Sequence, residues 1–506
     1  MKRIPLFILA ILSVAITEAQ NITDGLRYGI DENIGTARYT ALSGAMGALG
    51  GDFSAVNINP AGSAVFLTSG LAFSTSLFDV KNEANYFNNN EKSLSDNFAL
   101  NQLGGVFVIN NSNEESNFKK LTIGFNYNIS KNFENQLYVA GTGNTSIGEF
   151  FLAQAQGLPL NLLQLQSNET ISSLYQYLGE TEGTAAQNAF LGYQAYLFDA
   201  VDPNNPSNTS YVSNIANGSF KQQYAYLSEG YNSKFTVNLA TQITNDLYFG
   251  LNVNTHTIYF NQSSFFLENN TNSGSTINRV GFENNLSVNG AGVSAQFGAI
   301  AKVADNLRLG LSLDTPTWYQ ISEETTQYLE SRRVFEGQTT TQNVNPRVIN
   351  VFEDYTLKTP AKVSASVAYI FGQNGLISFD YSYKDYGSTK FSPSYDSFFT
   401  SLNNTIANTL KGVSEYRVGG EYRLNQLSLR GGIHYVESPY KNTEVLGEVF
   451  GFSIGTGYNF GSFTGDLAYS RAEQTRNQQL YSIGLTDTAE INSVYNNFVL
   501  TLGFNF

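Results

Sequence analysis

The sequence predicts an all-β protein, a transmembrane antiparallel β-barrel of fourteen strands with a piece of its own chain in the lumen. Three observations carry this: the pattern of the final strand, the rhythm of the connections, and a composition suited to export. In the last eleven residues Phe498, Leu500, Leu502, Phe504 and Phe506 share one parity, while Thr501, Gly503 and Asn505 share the other. Side chains alternate faces along a strand, so one face is apolar and the other polar, as in a barrel wall between lipid and lumen.

The chain opens with Lys2 and Arg3, an apolar stretch from Ile4 to Ile16, and small residues before Gln20. This reads as a secretory signal peptide over residues 1–19. No second long apolar run follows, which excludes a helical inner-membrane protein. Of the 506 residues none is Cys, so disulfide and thiolate chemistry are absent; aromatics reach 14%, and 45 Gly accompany 10 Pro, a balance suited to tilted strands with aromatic girdles. A net charge of -14 argues against nucleic acid as a partner.

Residues 20–67 lack strand alternation and are rich in Gly and Ala from Ala37 to Asp52. With no role in a wall, they are expected inside the lumen as a plug or hatch, where small residues permit close backbone packing; the alternative is a periplasmic tail.

Period-two alternation then marks strands near 68–80, 98–110, 119–141, 233–243, 247–260, 286–303, 306–319, 354–371, 375–391, 413–424, 427–438, 447–460, 462–473 and 492–506, the barrel domain covering 68–506. Thr244-Asn245-Asp246, Ala304-Asp305, Gly372-Gln373-Asn374, Asn425-Gln426 and Gly461 are tight turns. Between them lie connections of roughly 90, 25, 34, 20, 8 and 18 residues, the alternation of short periplasmic turns with long extracellular loops. Residues Ser130, Lys131, Asn132 and Phe133 disturb the third strand. Phe133, Leu137 and Val139 keep the phase of Ile129, so a kink or bulge within one strand is expected rather than a turn. The insertion 142–232 places Phe150, Phe151, Leu174, Leu178, Phe190 and Leu191 at helical spacings, predicting extracellular helices that cap the mouth or form a groove for apolar ligands.

Chemical motifs are sparse. Gly451-Phe452-Ser453-Ile454-Gly455 spells an esterase elbow but lies within strand alternation, without the sharp turn and helix that motif needs. His256 and His434 are the two histidines, both within strands on the lumenal or interfacial face, which leaves no metal or haem constellation. No catalytic residue, metal or cofactor is expected, and ligand-binding residues are not legible at this level.

The run Ala41 to Asp52, followed by Ser54-Ala55-Val56 and the triplet Asn59, Pro60, Ala61, resembles the amino-terminal hatch of FadL/TodX outer-membrane transporters. Asp305 to Ser312 leading into Pro316-Thr317-Trp318-Tyr319, Tyr355 to Pro360, Phe379 to Tyr386, Arg417 to Arg423 and Leu429 to Gly432 extend the resemblance, which is strongest to Bacteroidetes versions. It implies a monomeric barrel in the bacterial outer membrane, with Asn59, Pro60 and Ala61 as the hatch motif and Ser130 to Phe133 at a third-strand kink that opens the wall. It also implies Phe504 and Phe506 as a signal to the barrel-assembly machinery. The implied function is passive uptake of hydrophobic small molecules, such as long-chain fatty acids or hydrocarbons, across a membrane of lipid and lipopolysaccharide. The alternatives are a shuttle component of type IX secretion and, more weakly, a barrel lipase or esterase.

Overall fold

The computed structural model describes residues 21–113 and 115–506, so the signal peptide lies outside the described residues. Fourteen wall strands form one closed ring. They are β1 Gly70–Tyr86, β2 Asn89–Asn110, β3 in two pieces (Phe118–Asn132 and Asn135–Gly143), β4 Phe220–Ile243, β5 Leu247–Asn269 and β6 Ile277–Ala304. The ring continues with β7 (Leu307–Asp314 and Trp318–Phe335), β8 (Tyr355–Lys358 and Lys362–Ile370), β9 Gly375–Asp385, β10 Gly412–Leu424 and β11 Leu427–Val436. It ends with β12 Val449–Asn459, β13 Phe463–Gln479 and β14 Thr488–Asn505. Each strand pairs antiparallel with its neighbours, and β14 returns to β1 with Phe504 opposite Leu71, so the ladder has no outer edge.

The breaks in β7 and β8 have a common cause. Pro316 and Pro360 lack the N–H a ladder needs, and Thr317 and Thr359 bridge the two breaks side by side, Thr317 N donating to Thr359 Oγ1 at 3.0 Å.

The outer face matches the alternation read from the sequence. Phe498, Leu500 and Phe504 are exposed while Val499 and Thr501 are buried, and exposed Leu, Val, Ile and Phe recur around the wall. Inward positions are Asn, Ser, Thr and Gln, as at Asn126, Asn238, Asn252 and Gln296. A closed barrel with this belt crosses an outer membrane.

Several strands exceed their expected lengths on the loop side. β2 starts at Asn89 rather than near 98, β4 at Phe220 rather than 233, and β7 runs to Phe335. Beyond the lipid the outer face is solvated, so the apolar half of the alternation disappears while the backbone ladder continues. Two expected long loops shrink accordingly. Phe87 and Asn88, both at positive φ, close a two-residue hairpin between β1 and β2, and the β5–β6 connection contracts to 270–276.

Helices α1 Ile22–Gly29 and α2 Ala37–Ala41 and 3-10 turns at Ala55–Asn57 and Pro60–Val65 precede the ring. This segment bonds to inward side chains on every side: Asn101 on β2, Thr122 on β3, Asn252 on β5, Gln296 on β6, Ser453 on β12 and Thr501 on β14. A stretch that does so around a closed ring lies within the lumen. At the other end α3 Gly148–Ala155, α4 Ile171–Thr181 and α5 Thr184–Gln194 bury Phe151, Tyr175, Leu178 and Phe190 against one another and against Tyr86, Phe266, Phe282, Leu329 and Ile491 of the elongated strands. They cap the mouth. The insertion thus ends at residue 219, where β4 begins, and not at 232. A further helix, α6 Ser397–Thr409, lies between β9 and β10.

Candidate functional site: sealed lumen, interrupted wall and charged chamber

Residues 36–66 are tied down by buried polar bonds. Asn59 Nδ2 donates to Gly47 O (2.8 Å) and to the wall carbonyl of Ala299 (3.0 Å), and Asn59 Oδ1 accepts from Ala61 N (3.1 Å). Pro60 starts the turn that follows, and its carbonyl accepts from Asn238 Nδ2 at 3.0 Å. Asp380 on β9 accepts from Gly47 N at 2.8 Å. Arg38 Nε donates to Glu421 on β10 at 2.8 Å, and Arg430 on β11 joins the same carboxylate at 2.7 Å. Each such bond contributes about 1 kcal/mol net, and those to charged groups about 1.5–3, so expelling the whole segment costs as much as a small domain's stability.

Ser453 belongs to this seal. Its Oγ lies 2.7 Å from Ser43 Oγ, accepts from Ser43 N and donates to Ala41 O at 3.0 Å. The surrounding Gly451 to Gly455 run is mid-strand in β12, without an elbow. His256 bonds Ser294 at 2.9 Å, and His434 is buried on β11; among the described residues neither bonds Ser453.

The wall itself is interrupted between β2 and β3. Their ladder runs from Asn110 opposite Lys120 to Gln102 opposite Asn128 and stops, while the backbone of β2 continues to Asn89 in a ladder with β1 alone. Two bulges face this point. Asn101 is the extra residue in β2, where the register slips between Ser74 and Thr75, and β3 slips between Ile129 and Lys131. From there β3 leans onto β4: Ser130 Oγ donates to Asn232 O, Phe133 N to Gly230 O (2.9 Å), and Ser228 Oγ to Phe133 O. Gly230 has φ 115°, and a Cβ there would sit 2.1 Å from Tyr259 O, so only glycine allows the bend. Above the break, side chains reach across: Ser93 Oγ to Gln136 O (2.9 Å), Asn89 Nδ2 to Ala140 O (2.9 Å) and Asn82 Nδ2 to Gln136 O (2.7 Å). Residues 94–101 of β2, about 25 Å of strand, therefore border a window without ladder bonds.

Leu94, Phe98 and Leu100 are exposed on the outer side of this rim. On the inner side Ala99 packs with Ile34, Phe78 and Ile129. The lumen segment stands at the inner mouth, with Glu32 N donating to Ser130 O (2.8 Å) and Asn132 N to Glu32 Oε2 (3.2 Å). Ser130 to Phe133 thus sit at the interruption, Asn59 to Ala61 in the seal, and Phe504 and Phe506 at the closing seam.

Inside the window is a chamber of mixed charge. Lys384 Nζ donates to Gly29 O at 2.6 Å and lies 3.7 Å from Asp31, while Lys362 pairs with Asp314 at 3.1 Å. Lys131 lies near Glu32, and Lys234, beside His256 in the ladder, faces Asp31 without forming an ion pair among the described residues. Four lysines face the carboxylates of Asp31, Glu32 and Asp314, and the adjoining Glu415 is paired with Arg417 at 2.6 Å, so the formal count leaves one positive charge. Aromatic walls adjoin it, with Tyr319 against His256 at 5.6 Å and Phe133 against Phe260 at 5.2 Å.

Sequence reading missed the bulge at Asn101 and the chamber lysines. The first left a trace: outward apolar residues change parity between Leu100 and Leu103. Of the lysines only Lys131 left a mark, as a break in the phase of β3; Lys234, Lys362 and Lys384 left none, since single charges on separate strands form no local pattern.

No protein-family model matches the sequence, and no curated protein matches it. Solved structures do. A FadL homologue of Pseudomonas aeruginosa is 12% identical over 94% of this chain and 100% of that one, with a TM-score of 0.54. The toluene transporter TodX of P. putida is 13% identical over 94% and 99% of the two chains, with a TM-score of 0.53. The likeness is one of fold, and it spans nearly the whole described chain.

Proposed function

We propose that the protein is an outer-membrane channel for passive uptake of hydrophobic small molecules, with residues 20–67 as a hatch and the β2–β3 window as the lateral path. The observation that carries this reading is the window: an interrupted ladder with an apolar rim, opening above a sealed lumen. A hydrophobe crosses a polar lipopolysaccharide surface poorly, and a path that leads sideways into lipid spares it a fully aqueous lumen. The similarity in fold to a FadL homologue and a toluene transporter supports the same reading. So does the tie-down of Ser453, which leaves the elbow motif without a free nucleophile. Such sites hold their ligand weakly enough to release it.

Lys234, which forms no ion pair among the described residues, favours an amphiphile with a carboxylate head, long-chain fatty acid above neutral hydrocarbon. Native mass spectrometry of purified protein offered oleate and dodecane tests both levels. Oleate is expected to be retained and Lys234→Met to weaken it about tenfold, the equivalent of ~1.4 kcal/mol. Retention of neither ligand, together with unchanged uptake on expression, sinks the channel reading; equal oleate retention by Lys234→Met sinks only the head-group preference.

Assembly follows from the seam. Phe506 N donates to Ser69 O at 2.9 Å and its ring is exposed, which supports our proposal that Phe504 and Phe506 are read by the barrel-assembly machinery. Deleting Phe506 is expected to reduce the folded, heat-modifiable fraction in membranes, and normal assembly of the deletion would refute this role.

A further inference from the structure

The outer wall of β4 to β7 rises above the lipid belt, and its chemistry there changes in layers. On β4 and β5 the lipid-facing residues end at Tyr231 and Tyr259, which stand opposite each other with ring centroids 6.3 Å apart. Aromatic rings at this height mark the boundary with the head groups. One step higher, the register sets Glu229, Asn261, Ser287 and Glu324 side by side across the four strands, and the next row is Leu227, Ser263, Asn285 and Thr326. The two rows line a groove of about 360 Å³, flanked by Leu227 and Ile349, which are 51% and 61% exposed. Asn261 Nδ2 donates to Glu229 Oε1 and Asn285 Nδ2 to Thr326 Oγ1, both at 3.1 Å. Short amides and hydroxyls on the floor, a carboxylate at each end and apolar flanks suit a sugar, which presents hydroxyls and a C–H face together.

Further up the same strands, about 20 Å along each, the register forms a row of Lys221, Asn269, Arg279 and Arg332. Arg279 and Arg332 are direct partners across the β6–β7 ladder, and like charges so placed destabilise a sheet. Glu330 pairs with Arg279 at 3.1 Å and Arg332 Nε donates to Asn278 at 2.7 Å, while Lys221 is exposed and Arg279 Nε has no hydrogen-bond partner among the described residues. The row keeps a surplus of positive charge. In a chain of net charge -14 such a row is not a by-product of composition.

We infer that this face docks the head group of an outer-leaflet glycolipid of the lipopolysaccharide type. The acyl chains lie on the wall below the tyrosines, an uncharged part of the sugar occupies the groove, and anionic core sugars meet Lys221, Arg279 and Arg332. The order of chemistry up the wall is the order along such a lipid, and the groove is continuous with the belt that lipid already covers. Glu229 and Glu324 accept from sugar hydroxyls and repel anions, so the charged end of the head group is directed to the upper row. Guanidinium groups there can bind phosphate or carboxylate in bidentate fashion.

The test uses delipidated protein in detergent, with retention read by native mass spectrometry and folding by heat-modifiable mobility. The probes are rough lipopolysaccharide with its inner-core sugars, lipid A without them, and inorganic phosphate. Arg279→Gln/Arg332→Gln is expected to weaken lipopolysaccharide binding at least about tenfold and to leave lipid A unchanged. Ser287→Trp, which fills the groove, is expected to weaken both. Lipopolysaccharide retained equally by either variant and wild type overturns the inference. Phosphate bound by wild type without retention of lipopolysaccharide makes the row an anion site only, and overturns it too. Oleate retention is expected to be the same in all three proteins, so this inference and the channel reading fail separately; a fall in oleate alone would place these residues on the ligand path instead.

Discussion

Gly298→Leu is expected to unseat the hatch and leave a folded barrel that leaks. Gly298 faces inward on β6, where a Cβ would stand 2.0 Å from Asn59 Oδ1 and 2.7 Å from Pro60 Cδ. Gly250 and Gly310 clear the same corridor, with added Cβ atoms 2.2 Å from the Pro60 carbonyl carbon and 2.4 Å from Gly47 O. At Gly250 and Gly310 the atoms met are backbone, whereas at Gly298 they are the Asn59 amide and the Pro60 ring, and the amide can move aside only by giving up its bonds to Gly47 O and Ala299 O. Overpacking costs about 1–3 kcal/mol and the lost Asn59 bonds about 1 kcal/mol each, enough to free this end of the hatch but not to undo a fourteen-strand ring. The measurement is uptake of a large antibiotic by cells expressing the variant, with single-channel recording on purified protein. Gly420→Leu is the control: its Cβ would point outward, with nothing nearer than Leu376 O at 3.8 Å, and should cause no leak. A tight Gly298→Leu barrel would mean that the Asn59-Pro60-Ala61 contact does not hold the hatch.

Ala99→Trp is expected to close the window. Ala99 lies on the stretch of β2 without a β3 partner, facing Ile34, Phe78 and Ile129. An indole buries about 150–250 Å² and would bridge the gap from the apolar side, where it is welcome. Fatty-acid uptake should fall by roughly tenfold or more, a barrier increase of ~1.4 kcal/mol, while oleate retention by purified protein persists. Loss of both would indicate damage to the chamber rather than a blocked path, and unchanged uptake would remove the window as the route.

Both predictions depend on a feature half visible beforehand. Ser130 to Phe133 showed as a disturbance because Lys131 falls where the strand's phase wants an apolar residue, but a disturbed strand says nothing about its neighbours. That β3 turns toward β4 follows from Gly230 and from a register set with residues about a hundred positions away, and the Asn101 bulge opposite from the register of β2 on β1. The triplet Asn59-Pro60-Ala61 stood out by resemblance, whereas the glycines that face it did not: Gly250, Gly298 and Gly310 read as ordinary weak points in strands until Asn59, Pro60 and Gly47 are set against them.

The loop side shows the converse. Phe220 to Tyr231 is strand in the structure yet carries no clean apolar alternation, because outside the lipid its outer face meets water. Helical spacing in the insertion did forecast α3 to α5, since each must bury one face. Where they bury it, against Phe266, Phe282 and Ile491, depends on the height to which the elongated strands rise.

The sequence by itself determined the strand number, the tight turns, the lipid-facing parity and the closing role of the last strand. These are local consequences of a period of two imposed by lipid on one side and water on the other. Only the tertiary structure decided where the wall is left open, which charges gather inside it, and which apolar side chains α1 packs against. Each depends on which segments meet across the ring, and a missing ladder or a Lys234 without an ion pair among the described residues is a relation between distant residues that no single strand records.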